Sequence, residues 1–355
     1  MIRLSLEETI SRIVPPDEAA AAAARARQDT LTKPLGSLGR LEDISIQLAS
    51  IYGKTIPQPR NKVIILAAAD HGVTAEGVSA YPQAVTEQMV LNFLRGGAAI
   101  NVLARHCGAK VVIVDAGVAS QTPPNPHLIS LAMGKGTANM MRGPAMSAQQ
   151  ARQCLEQGIA IVSSEVEKGA DLVGTGDMGI GNTTAASAIT SVITGESPLK
   201  VTGLGTGISE DQRRHKSKVI EQAIKVNRPD PDNGLDVLAK VGGFEIGVLA
   251  GVMLGAAAAR KPVLLDGFIS GSAALVAYKL CPGARDYFIA SHFSVEPGHA
   301  AVLKYLGLKP VLDLSMRLGE GTGAALAMMI VEAAARCLAE MATFSEAGVS
   351  EKAEG

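Results

Sequence analysis

Six short apolar runs constrain this chain more than any other feature. Each ends on glycine or a polar residue, and helix-forming sequence follows. Residues 62–69 (KVIILAAA) precede Asp70-His71-Gly72, residues 110–114 precede Asp115, and residues 171–173 precede Gly174. Val201-Thr202 precede Gly203, residues 262–265 precede Asp266, and residues 287–290 precede Ser291-His292. Runs rich in β-branched residues, without polar alternation and spaced by helices, are the pattern of strands covered on both faces. The expected fold is therefore α/β: a parallel, Rossmann-like sheet flanked by helices. In such sheets ligands collect beyond the carboxyl ends of the strands. Nearly every conspicuous polar or glycine-rich cluster of this chain lies at one of those ends.

The two chain ends read differently. Residues 16–29 are Ala-rich helix formers; Pro34, Gly36 and Gly39 break the pattern, and residues 40–52 read as a second helix. Residues 322–341 form a long apolar, Ala-rich helix. A small helical bundle from both ends is expected, 1–58 together with 324–355, beside a large catalytic α/β domain of 59–323. Residues 120–126 read as a Pro-rich loop. With 33 Lys+Arg against 34 Asp+Glu and 3% aromatics, the chain has neither the basic field nor the stacking platforms of a nucleic-acid binder. The uncharged stretches at 246–259 and 321–331 fall short of the ~20 residues of a membrane span. Cys107, Cys154, Cys281 and Cys337 stand singly, which argues against a metal cage or disulfide framework. A cytoplasmic protein with reduced thiols is expected.

Four segments carry chemistry. Gly174-Thr-Gly-Asp-Met-Gly179 contains GxGxxG between a strand and a helix, the dinucleotide fingerprint, in which glycines let amides approach a phosphate. Asp177 inside it opposes a pyrophosphate, and a plain strand-to-helix turn capped by Asn182 or Thr183 reads equally well. Gly203-Leu-Gly-Thr-Gly207 can form an anion nest, with Lys216 on the next helix as a point charge or as a solvated surface lysine. In Arg317-Leu-Gly-Glu320-Gly-Thr-Gly323, flanking glycines let the backbone turn sharply and aim a carboxylate. In an apolar mouth that carboxylate would have a raised pKa and act as a general base; otherwise it caps a helix. Asp70 and His71 suggest a metal with Asp115, Asp266 or His292, but no HxH or HxxxH spacing supports it, and turn-forming acids are the commoner case.

Together these segments resemble one family. LTKPLGSLGRLE (31–42), AADHGVTAEGVSAYPQAVTEQMVLNFLRGGAAI (68–100), GTGDMGIGNTT (174–184), VTGLGTG (201–207), KVGGFEIGVLAGVMLGAA (240–257), PVLLDGFISGSAAL (262–275), SHFSVEPGH (291–299) and RLGEGTGAALAM (317–328) are similar to the nicotinate-nucleotide–dimethylbenzimidazole phosphoribosyltransferases of cobalamin biosynthesis. The resemblance implies phosphoribosyl transfer from nicotinate mononucleotide to 5,6-dimethylbenzimidazole, with inversion at C1′, giving α-ribazole 5′-phosphate and nicotinate. It implies a homodimer needing no metal or redox cofactor. By this resemblance Glu320 is the catalytic base, and Asp177 is a second catalytic carboxylate that stabilises oxocarbenium charge or assists as a base. Gly176, Gly203, Gly205, Lys216 and Ser294 match positions that bind the nucleotide phosphate and nicotinate carboxylate, and Ser79, Tyr81 and Gln88 line the benzimidazole pocket. The competing reading is an NAD(P)-dependent Rossmann oxidoreductase resting on residues 174–179.

Overall fold

A computed structural model of the chain describes residues 4–120, 123–131, 133–205 and 207–350. Thr206 of the second glycine loop, Gln121 and Thr122 of the Pro-rich loop, and residues 351–355 of the expected end bundle lie outside the described residues. Among the described residues six strands form one all-parallel sheet in the order β3-β2-β1-β4-β5-β6. They are β1 (Lys62–Ala69), β2 (Ala109–Gly117), β3 (Leu128–Ser130), β4 (Leu172–Met178), β5 (Val263–Leu265) and β6 (Phe288–Ala290). The chain winds outward from β1 on one side and from β4 on the other. The topological switch point, where α/β sheets bind ligands, therefore lies between the ends of these two strands.

Period-two geometry divides β1 between two cores. Val63, Ile65, Ala67 and Ala69 join the layer of Ala148–Glu167 and Phe244–Ala258. Ile64, Leu66 and Ala68 join the opposite layer, with Ile44, Leu48, Val90, Ile100 and Met328. The first layer is tight because its two helices touch backbone to backbone: a Cβ on Gly158 would collide with the Val248 carbonyl, and one on Gly251 with the Leu155 carbonyl. In the second layer Thr322–Glu340 packs on β1, β4 and β5, and also meets Glu18–Thr30 and Arg40–Tyr52 from the other chain end. By length and composition this helix could cross a membrane, yet most of it is buried inside the fold.

Three expectations need correction. Val201-Thr202 is not a strand: Pro198–Val201 is a short helix, started by a proline whose fixed φ suits a first helical turn. The strand Leu128–Ser130 has no counterpart among the six apolar runs, being a short edge strand with two of its three residues exposed. Finally, β4 does not stop at Val173 but runs through Gly174 and Gly176 to Met178.

Candidate active site

The β4 glycines are there for packing. A Cβ on Gly174 would stand 2.9 Å from the Met328 side chain, and one on Gly176 2.5 Å from the Glu320 carbonyl oxygen. The turn before Thr322–Glu340 thus lies directly on the strand. This closeness corrects the dinucleotide-fingerprint reading, because the first two glycines of GxGxxG are strand residues covered by another segment of chain. The loop is only residues 179–181, and Gly181, not Asn182 or Thr183, is the N-cap of Asn182–Thr194.

Gly319, Glu320 and Gly321 all have positive φ, at 83°, 63° and 90°. For a glutamate this costs roughly 1–3 kcal/mol. The Glu320 amide donates to the Asp177 carbonyl at 3.2 Å. The Asp266 carboxylate, at the end of β5, accepts from Gly321 N (3.0 Å), Gly323 N (2.7 Å) and Ala324 N (3.1 Å). Hydrogen bonds to a charged group contribute about 1.5–3 kcal/mol each, enough to hold the strained turn. Glu320 is buried, and its Oε2 has no hydrogen-bond partner. Burial, reinforced by the Asp266 charge and opposed by the Ile100 amide, pushes its carboxyl up to about 7. Asp177 is buried beside it, with Oδ2 accepting from Asn182 Nδ2 at 2.9 Å and Oδ1 unpartnered. Burial and the neighbouring charges of Asp266, Glu245 and Glu320 hold Asp177 well above the usual carboxylate range. A carboxylate that titrates near neutrality, with a free oxygen, can accept a proton from a bound substrate.

A cationic half adjoins this acid half. On Glu210–Asn227, begun by the capping box of Ser209 and Gln212, the inner face carries Lys216, Ile220, Ala223 and Asn227. Lys216 is therefore not a solvated lysine but 2% exposed. Its Nζ donates to Thr183 Oγ1 at 2.6 Å and lies beneath the loop of Gly203 and Gly205, 3.6 Å from where a Gly205 Cβ would be. Burial pulls its ammonium down to about 8, and Glu296 opposes the shift. Arg317 Nη1 donates to the Gly205 carbonyl at 2.7 Å, tying this loop to the glutamate turn. Ser294, also buried, donates its amide to His299 Nδ1 at 3.0 Å. Burial beside His292 lowers His299 to about 3, so the ring is neutral with its proton on Nε2. Asn182 and Thr183, adjacent on one helix, serve the acid and the cationic halves respectively.

Ser79 is half-buried, and its Oγ accepts from the Tyr81 amide at 3.3 Å. Tyr81 (52% exposed) and Gln88 are exposed, so they are not gathered into the buried cluster. His71 is not paired with Asp115, Asp266 or His292; its Nε2 lies 2.7 Å from Glu245 Oε1 in a fully buried pair. Burial alone would lower His71, but the charge and hydrogen bond of Glu245, with Asp70, raise it overall. Among the described residues no three His, Cys, Asp or Glu side chains form a metal-ligand group. Sequence reasoning missed Asp266 as an anchor, Glu245, and Glu296, whose buried carboxyl is raised by burial against the pull of Lys216, Arg317 and the Gly205 amide. The available signal was a lone acid closing an apolar run (PVLLD) or preceding a helix-starting proline (EPG). An open concavity of about 480 Å³, lined by Met146, Asp236, Lys240 and Phe244 among others, holds none of these groups.

A family model described as Phosphoribosyltransferase matches residues 13–349. The chain belongs to this family. The nicotinate-nucleotide–dimethylbenzimidazole phosphoribosyltransferase of Roseiflexus sp. (strain RS-1) is 60% identical over 349 residues, covering 98% of this chain and 99% of that protein. The protein of the same name from Chloroflexus aurantiacus is 59% identical over 347 residues, covering 98% and 99%. A crystal structure of the Thermus thermophilus nicotinate-nucleotide–dimethylbenzimidazole phosphoribosyltransferase superposes with a TM-score of 0.90 at 47% identity. The match covers 95% of this chain and 100% of that one. This phosphoribosyltransferase therefore shares both fold and sequence with those relatives along nearly its whole length.

Proposed function

We propose that this phosphoribosyltransferase moves the phosphoribosyl group of nicotinate mononucleotide to 5,6-dimethylbenzimidazole, inverting C1′ and giving α-ribazole 5′-phosphate and nicotinate. The reading rests on the buried Glu320 carboxyl, which titrates near 7 and has an unpartnered oxygen at the switch-point end of the sheet. The names of the relatives support it. One ring nitrogen of the benzimidazole attacks C1′ while Glu320 takes the proton from the other. As the new C–N bond forms, the bond to nicotinate breaks, and its electron pair returns to the pyridinium nitrogen, which leaves neutral. Asp177 lies beside Glu320; positive charge developing at C1′ favours its ionised form and is stabilised by it. The Gly176 backbone, the Gly203 and Gly205 loop, Lys216 and Ser294 hold the donor's phosphate and carboxylate. Ser79, Tyr81 and Gln88 form the rim that receives the flat base. In-line displacement needs both partners held, so positioning supplies much of the rate. A cytosolic homodimer without metal or redox cofactor belongs to the same proposal.

The test is product analysis. Nicotinate should be released from nicotinate mononucleotide only when dimethylbenzimidazole is present, and the new riboside should have the α configuration. Release without the base, or a β product, would overturn the reading.

A further inference from the structure

We infer that Asp266 is a positioning residue for this reaction: from the end of β5 it locks the left-handed Glu320 turn in the geometry that presents the base. The inference rests on the reading of Glu320 as that base. Thr322–Glu340 has Gly321 at its N-cap and no side-chain cap of its own. A helix start buried in this way needs acceptors for its free amides. Asp266 supplies them from another part of the sheet, at 3.0, 2.7 and 3.1 Å to Gly321, Gly323 and Ala324. The Asp266 amide itself meets Thr175 Oγ1 at 3.4 Å, and Thr175 Oγ1 donates to the Leu264 carbonyl at 3.2 Å, fixing the aspartate to β4 and β5. On the other side His292 packs so closely on Gly323 that a Cβ there would collide with its ring. The lock is thus rigid on three sides, while Glu320, one residue before the first bonded amide, keeps a free carboxylate oxygen.

A plain cap would stabilise the helix and do nothing else. Asp266 does more, because its charge bears on both neighbouring carboxyls, Glu320 and Asp177, and raises each. Glu320 is faced by Asp177 from β4, by Asp266 from the end of β5 and by the Ile100 amide of Ala99–Cys107. Asp266 is faced by His292, by Asp177 and by the three amides. Replacing it with asparagine removes the charge and sets an amide N–H₂ group against backbone donors.

The experiment compares the intact enzyme with D266N, E320Q and the double variant, by kcat, by KM for each substrate and by the pH dependence of kcat/KM. Misplacing a catalytic group by about 1 Å costs on the order of 10²-fold, the fall expected in kcat for D266N, while KM for nicotinate mononucleotide stays within about threefold. The acid limb of kcat/KM should move to lower pH, because Glu320 loses a charge that raises it. The double variant should turn over no more slowly than E320Q, as expected of residues acting as a unit. Near wild-type kcat in D266N beside an impaired E320Q overturns the inference alone. A kcat loss with the limb unmoved and fully additive with E320Q also overturns it. Near-full activity of E320Q removes the base reading first. Should D266N not fold, D266E carries the test: its carboxylate is displaced by a methylene, so kcat should fall by on the order of 10²-fold with the acid limb in place. Wild-type kcat in D266E contradicts the lock.

Discussion

The two halves of the candidate site solve opposite electrostatic problems with the same device. Around Glu320, Asp177 and Asp266 the protein buries acids together, and burial lifts all three carboxyls above the usual carboxylate range, Glu320 to about 7. Around Lys216 it buries a cation, and burial pulls the ammonium down to about 8. Each half is brought closer to neutral pH, where a proton moves at low cost. The halves differ in how they are held. The acid half hangs on a strained turn fastened by backbone amides, whereas the cation half sits on a regular helix and a glycine loop. A proton acceptor has to be aimed at one ring nitrogen, while an anion clamp needs only charge and donors within reach. Under the proposed assignment, the strain falls on the base.

The largest expected effect breaks the acid half alone. E320Q should lower kcat by about 10²–10⁴-fold, the usual contribution of a general base, with donor affinity little changed. Turnover near wild type would remove Glu320 from that role and leave Asp177 as the next candidate. K216A breaks the cation half. Losing a charge-assisted hydrogen bond of about 1.5–3 kcal/mol should raise KM for nicotinate mononucleotide roughly 10- to 100-fold and leave that for dimethylbenzimidazole nearly unchanged. Equal changes in both would refute a contact specific to the anionic substrate. The same comparison is sharpened by pH. Glu320 must be ionised, so kcat/KM should fall as pH drops below about 7. Lys216 must be charged, so it should fall again as pH rises past about 8. In K216A only the acid limb should remain; an alkaline limb that persists unmoved would assign it to another group.

How much of this was legible beforehand depends on the range of the contacts. The run at 62–69 announced β1 because a strand buried on both faces must be apolar throughout, and Leu128–Ser130 went unread because an exposed edge need not be. Gly174 and Gly176 read as a phosphate turn since glycine normally breaks strands; their reason is the Glu320 turn and Met328, far along the chain on the other side of β5 and β6. Local spacing carries no trace of such a contact. Glu320 stood out because its glycine neighbours are a local signature of an aimed backbone. Asp266 looked like any turn-forming acid, and its three amide partners exist only once β5 lies beside β4. Lys216 was ambiguous because the sequence Gln212–Lys218 offers several cations, and only packing chooses which one faces inward.

A crystal of the enzyme with dimethylbenzimidazole bound tests the central claim most directly. The account predicts a Glu320 carboxylate oxygen within hydrogen-bond reach of a ring nitrogen, about 2.6–3.2 Å. A ring bound elsewhere, or a Glu320 side chain turned away from it into an ion pair or solvent, would contradict the account.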